Sequence, residues 1–186
     1  MSHPAIQRVV DVASRKGIKL EITLFEARTR TAEEAAAAVV VKPDQIVKPL
    51  VFVAPRFDGR LVPIVCLVSW RNRVDLGRLA AVTGETAARR ATAREARELT
   101  GFAIGGIPPF GYGRQVRVVM DPDLCPFQLV WASAGIDRAI FPVPPGTLRI
   151  LSNAVVAPFA EEPWPRAASA AAVEPRPLFE AGGSAA

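Results

Sequence analysis

Gln45-Ile-Val-Lys-Pro-Leu-Val-Phe-Val-Ala54 is an apolar run broken by one cation and one proline. Its length and its Val, Ile and Phe content predict a β-strand. Asp58-Gly59 follows as a turn signal and Leu61–Ser69 is a second β-rich run, so the two predict a hairpin. Gln128–Ala132 and Ala139–Val143 make another hairpin-like pair, while Lys19–Phe25 and Gln115–Met120 read as further strands. Helical signals interleave with these. Residues 4–16 place Ile6, Val9, Val10 and Ala13 on one face and stop at Gly17. Thr31-Ala-Glu-Glu34 and Thr92-Ala-Arg-Glu95 are capping boxes, opening an Ala-rich run over 32–40 and a short helix to Leu99. Asp75 opens a helix through Val82 that ends at Thr83-Gly84, and Pro145 fits the first turn of a closing helix through Leu151. Hairpin-like pairs among interleaved helices argue against an all-parallel sheet. The expected fold is α/β, a mixed, barrel-like β-sheet with surrounding helices.

The central strand raises a question of its own. Lys48 stands inside an apolar run, where it faces solvent at a sheet edge, snorkels past its neighbours, or serves a site. Pro49 cannot donate to a ladder, which argues for an edge or an interrupted pairing.

Gly101-Phe-Ala-Ile-Gly-Gly-Ile-Pro-Pro-Phe-Gly-Tyr-Gly113 has five glycines and two prolines in thirteen residues. Glycine admits positive φ and close approach while proline stiffens, so the loop holds main-chain N–H and C=O groups in fixed directions. It is not a P-loop, because Ile107 and Pro108 stand where Lys and Ser/Thr are required. Nor is it a dinucleotide fingerprint: Gly111-Tyr-Gly113 is followed by Val116 where the third glycine belongs, and the loop follows a helix.

With 186 residues, half of them hydrophobic, the chain has room for one globular domain and some excess. Residues 1–160 read as that domain and 161–186 as a disordered Ala/Pro/Glu-rich tail. Two Arg against four Glu from Glu161 onward leave +7 on residues 1–160, a basic balance that points to a polyanion. Arg89, Arg90, Arg94 and Arg97 read as a solvated basic face, and Trp70, Arg71 and Arg73 as surface packing or a nucleic-acid contact. Asp121 and Asp123, in an Asp-Pro-Asp, read as a turn more than as a catalytic pair. Cys66 and Cys125 lie in or beside apolar stretches and are expected to be buried reduced thiols. The N-terminus lacks an apolar signal region and no run reaches the ~18 apolar residues of a membrane span, so a cytoplasmic protein with no membrane partner is expected. His3 is the only histidine. Without another, a Ser-His-Asp triad, a Cys-His pair and a multi-histidine metal site all lack their central residue.

Five segments resemble one family in order: Thr31-Ala-Glu-Glu-Ala-Ala36, Gln45-Ile-Val-Lys48, Arg73-Val-Asp-Leu76, Gly101-Phe-Ala-Ile-Gly-Gly-Ile-Pro-Pro-Phe-Gly111 and Val130-Trp-Ala-Ser-Ala-Gly135. Over residues 4–151 the chain resembles the YbaK/ProX aminoacyl-tRNA deacylases, relatives of the editing domain of bacterial prolyl-tRNA synthetase. No synthetase module accompanies them, so it is similar to the free-standing, trans-editing branch. The resemblance implies hydrolysis of the ester between a wrong amino acid and the terminal ribose of tRNA, most often tRNA for proline. It implies a substrate-assisted reaction with no metal or cofactor, aminoacyl-tRNA and prolyl-tRNA synthetase as partners, and no DNA. A non-catalytic tRNA- or synthetase-binding module of the same fold is the alternative.

By the same resemblance Lys48 matches the family's lysine, and Gly105 and Gly106 match loop glycines whose backbone shapes the pocket. Ile107, Ser133, Ala134 and Gly135 match pocket lining, and Phe25 falls where members carry an aromatic wall. Three positions depart from it. Pro49 replaces the Thr, Ser or Asn that often follows the lysine, Tyr112 replaces a common histidine, and Ala134 replaces a glycine of some members. Losing a polar group beside Lys48 favours alanine as the amino acid removed, with Cys, Ser or Thr as alternatives, since a pocket separates one methylene by only ~1–3 kcal/mol.

Overall fold

The computed structural model describes residues 3–25 and 32–161. Strands β2 (Val47–Pro55) and β3 (Leu61–Ser69) form the expected hairpin, in register from Val47↔Ser69 to Pro55↔Leu61. Its turn is closed by Gly59 at φ 79° and by the Asp58 carboxylate, which accepts from the Arg60 N–H at 3.0 Å. Around the hairpin, β4 (Arg89–Arg90) pairs antiparallel with β2, β5 (Arg117–Met120) parallel with β3, and β8 (Val155–Val156) parallel with β5. The five-stranded order is β4-β2-β3-β5-β8. A separate antiparallel sheet runs β1-β7-β6, from β1 (Thr23–Leu24), β6 (Val130–Ser133) and β7 (Ala139–Val143). A parallel bridge between Ile46 and Trp131 ties the start of β2 to β6. The α/β, mixed-sheet expectation holds; the described strands make two sheets and close no barrel.

Both faces of the hairpin are buried, which is why its strands read as continuous apolar runs. Val47, Val51, Val65 and Leu67 face one core. It is completed by Ile6 and Val9 of α1 (Pro4–Arg15), Ala96 of α4 (Ala93–Thr100), Phe141 of β7 and Leu148 of α5 (Pro145–Ser152). Phe52, Ala54, Ile64, Cys66 and Val68 face the other, against Leu79 of α3 (Leu76–Thr83) and Phe159. A smaller cluster joins Ala35 and Ala36 of α2 (Ala32–Ala38) to Ile46, Trp70 and Trp131.

The helix punctuation behaves as its chemistry requires. Asp75 caps α3 by accepting from the Arg78 N–H, and Gly84 ends it in the left-handed region. The Thr92 box is complete: Thr92 Oγ1 accepts from the Glu95 N–H at 3.2 Å, and the Glu95 carboxylate accepts from the Thr92 N–H at 2.9 Å. Thr92→Ala is expected to cost about 1 kcal/mol, seen in thermal unfolding as a Tm lower by about 2–4 °C. Thr31 of the first capping box, and all of the 161–186 tail but Glu161, lie outside the described residues.

Elsewhere the structure corrects the sequence reading. Lys19–Phe25 is strand only at Thr23–Leu24, where it meets β7. β4 and β8, two residues each, are too short to leave a periodicity. Cys66 is fully buried and its thiol is pushed up by desolvation, but Cys125 is exposed, because it ends a 3₁₀ turn after β5 instead of entering the core.

Candidate active site

Strand parity explains how a proline sits in β2. The Ala91 N–H donates to the Val51 carbonyl, so Val51 points its polar backbone away from β3, and Pro49, two residues earlier, does the same. The Leu67 carbonyl opposite Pro49 turns outward too, accepting from the Asp121 N–H. Pro49 therefore removes no bond from the hairpin; its missing donor falls on the open edge of β2. There, between the two sheets, lies a cavity of about 370 Å³. Lys48, Pro49, Gly105, Ile107 and Ser133 all line it, so the sequence-derived residues converge from β2, the glycine loop and the end of β6.

Lys48 is half-buried. Its ammonium donates to the Trp70 carbonyl at 2.8 Å and the Asn72 carbonyl at 2.9 Å, and Nζ stands 5.2 Å from the centroid of the Trp70 ring. An ammonium has three donors. Two of them go to this pair of carbonyls, and Lys48 lines the cavity. Desolvation pulls the Lys48 pKa below its ordinary 10.5, Arg90 and Arg73 add to the fall, and Asp121 opposes it.

The glycine loop divides into a seat and a lip. Phe102, Ile107 and Phe110 are buried in the core, while Gly105 is exposed at φ 92° on the cavity wall. Gly106 lies beneath it, and its N–H donates to the Ala103 carbonyl at 3.0 Å. Of the two glycines, only Gly105 lines the cavity. A Cβ on Gly106 would stand 2.6 Å from Ile136 Cα and 2.9 Å from the Gly135 carbonyl oxygen. A Cβ on Gly135, itself at φ 101°, would stand 2.8 Å from the Ala5 carbonyl oxygen. The loop, the β6–β7 turn and the start of α1 are thus stacked backbone on backbone. Tyr112 braces the same loop, its hydroxyl donating to the Pro108 carbonyl at 2.7 Å and its ring meeting Phe102 edge-on.

Other sequence-derived residues sit behind the wall. Ala134 is buried and donates to the Ala139 carbonyl, and Gly135 turns the chain there; neither lines the cavity. Phe25 is half-buried, its N–H donating to the Arg138 carbonyl, and it too is outside the lining. Ser133 reaches the lining with its hydroxyl 3.4 Å from the Ile136 carbonyl, a weak bond that leaves it available.

Sequence reasoning missed Trp131, Asp137, Leu50 and Ile104 in the lining; Trp70, read as surface packing or a nucleic-acid contact, and Arg90, read in a solvated basic face, line it too. Trp131, inside the Val130–Gly135 motif on β6, was the signal for the first group. The four arginines of the basic face are exposed as expected but differ in partner: Arg89 pairs with Glu95 at 2.8 Å, Arg94 reaches Glu98 at 3.8 Å, and Arg90 lines the cavity. Asp121 and Asp123 do form the expected turn, yet both carboxylates also hold the Asn72 amide.

The fold is a mixed α/β domain with a half-buried lysine lining a largely apolar cavity, and comparison with known proteins gives its class. The aminoacyl-tRNA editing domain matches residues 26–151, and the chain belongs to that family. It is an aminoacyl-tRNA deacylase, with aminoacyl-tRNA as substrate. A solved candidate trans-editing enzyme for prolyl-tRNA synthetase shares 41% identity and a TM-score of 0.78, covering 87% of this chain and 99% of that one. The solved hypothetical protein APE2540 shares 27% identity and a TM-score of 0.75 over 83% of this chain and 99% of that one. The uncharacterized protein YwhH of Bacillus subtilis (strain 168) is 30% identical over 128 residues, 69% of this chain and 78% of that one.

Proposed function

We propose that the protein is a trans-editing deacylase that removes a small, mischarged amino acid, alanine foremost, from tRNA for proline. The observation that carries the reading is the Lys48 ammonium, held by two main-chain carbonyls, in a residue that lines an apolar cavity. The cavity volume is within the range of small-molecule sites. Pro49, Leu50, Ile107 and Ile140 offer a methyl side chain apolar contact, and Pro49 gives a hydroxyl nothing to bond.

In the reaction water adds to the ester carbonyl carbon, and the oxyanion so formed is met by the Lys48 N–H and the Gly105 backbone. The carbon–oxygen bond to the ribose then breaks. The leaving 3′ oxygen takes a proton from the neighbouring 2′-hydroxyl, which is reprotonated from the attacking water. An aminoacyl ester is already activated, so this set of groups suffices without a histidine. Phe25, Gly106, Ala134 and Gly135 support the wall rather than touch substrate. Residues 1–160 make the working domain and 161–186 a tail, placed in the cytoplasm beside prolyl-tRNA synthetase.

The test is direct. tRNA for proline charged with Ala, Ser, Cys or Pro is incubated with the protein and ester loss is followed. Rapid loss of Ala with Pro spared is the expected result. Tight tRNA binding with no loss of any of the four would favour the non-catalytic binding module instead.

A further inference from the structure

The mechanism above uses Lys48 but leaves its cradle unexplained. Trp70 and Asn72 belong to the short turn that leaves β3, where the Trp70 ring packs against Ala35, Ala36 and Ile46. Asn72 itself is held by Asp121, 1% exposed, just after β5. One oxygen of its carboxylate accepts from the Asn72 side-chain amide at 2.7 Å and the Ser69 N–H at 3.3 Å, and the other accepts from the Asp123 N–H at 3.0 Å. Asp123 adds a second bond to the Asn72 amide at 2.7 Å, and the Asn72 N–H donates to the Ser69 carbonyl. Among the described residues the hydrogen-bond partners of the Asp121 carboxylate are neutral donors. A buried carboxylate satisfied by neutral groups keeps its field, and the Lys48 ammonium, cradled by its own amide partner, lies within that field.

We propose that Asp121 is a positioning residue for Lys48: through Asn72 it locks the turn whose two carbonyls aim the remaining ammonium N–H into the cavity. The proposal rests on the deacylase role given to Lys48. The charge of Asp121 has a second effect. Lys48 feels the charges of Arg90 from β4, Arg73 after β3 and Asp121 after β5, and Asp137 shares the cavity lining with it. Burial, Arg90 and Arg73 all favour a neutral amine, and Asp121 opposes them. Removing its charge lets the Lys48 pKa fall further, so the ammonium is lost at a lower pH.

Full-length Asp121→Asn and Asn72→Ala proteins test this, with mischarged tRNA in single-turnover assays across pH and with the Lys48 ε-carbon resonance followed by NMR titration. Asp121→Asn is expected to lower kcat about tenfold or more with KM within about twofold of wild type, and to move both the alkaline limb and the Lys48 titration to lower pH. Asn72→Ala, which removes the link and leaves the charge, is expected to lower kcat without that pH displacement. A folded Asp121→Asn protein with wild-type kcat, or with an unmoved Lys48 titration, overturns the proposal. So does a kcat loss in either variant that follows only from a fall in the folded fraction. The titration needs no substrate, so it reads the Asp121–Lys48 relation even if the wild-type protein cleaves none of the esters offered.

Discussion

Lys48→Ala is expected to lower kcat for ester hydrolysis by about 10²–10³-fold, the loss seen when a pre-organised oxyanion donor is removed. The lysine is held before substrate arrives: two carbonyls fix Nζ, and Trp70 lies against it. Little reorganisation is then left to pay for during the reaction, and truncation removes an interaction made chiefly in the transition state. The loss should therefore fall on kcat and largely spare KM. Lys48→Arg should not rescue, since a longer, planar guanidinium cannot occupy the place of a compact ammonium whose donors are tetrahedrally disposed. The wild-type pH profile follows from the same site. The charged form supplies the N–H, so activity is flat below the Lys48 pKa and falls as pH rises through it. Because desolvation, Arg90 and Arg73 depress that pKa, the limb should lie below 10.5 once spontaneous ester hydrolysis is subtracted. Unchanged turnover in Lys48→Ala would remove the role given to the side chain.

Gly106→Ala should be the most damaging change in the glycine loop. The added carbon meets Ile136 Cα, the Gly135 oxygen and the Gly135 carbonyl carbon at 2.6, 2.9 and 3.0 Å. All three are main-chain atoms that cannot rotate away, so the loop itself must move. The cost belongs at or above the top of the usual overpacking range, about 3 kcal/mol, which for this size lowers Tm by about 6–12 °C. Activity falls with it because Gly105, one residue away, is displaced from the cavity wall. Two neighbours calibrate the result. Gly105→Ala has space, its nearest contact being Asp137 Cβ at 3.6 Å, and carries only the strain of φ 92°, about 1–2 kcal/mol. Gly113→Ala meets nothing within 4 Å and should stay within about 0.5 kcal/mol of wild type. Equal unfolding temperatures for Gly106→Ala and Gly113→Ala would show that the stacked backbones do not set the loop.

What the sequence disclosed follows from which signals are local. The hairpin was legible because Asp58-Gly59 fixes a turn between two long apolar runs, and the Thr92 box because four residues contain all its bonds. Lys48 and the glycine loop stood out as polar or contorted exceptions. Asp121 did not, because an Asp-Pro-Asp turn looks the same whether its carboxylates face water or an asparagine from another strand. Arg90 was lost among its neighbours for a related reason. Only the pairing of β4 with β2 separates it from Arg89, and a two-residue strand has no period to read. Gly106 was read, with Gly105, as a loop glycine whose backbone shapes the pocket; its N–H is engaged with Ala103, a local bond invisible without φ and ψ.

The contact between Gly135 and Ala5 joins the two ends of the domain. A chain emerging from the ribosome presents the residues of its first helix long before the turn that must rest on them has been made. The glycine loop is synthesised between the two and finds its footing only when both are in place. Contacts of such sequence separation close late, since the entropy of the intervening chain must first be overcome. A chain stopped short of residue 135 therefore carries its lysine but lacks Ile136, Asp137 and Ile140, one side of the cavity that Lys48 lines.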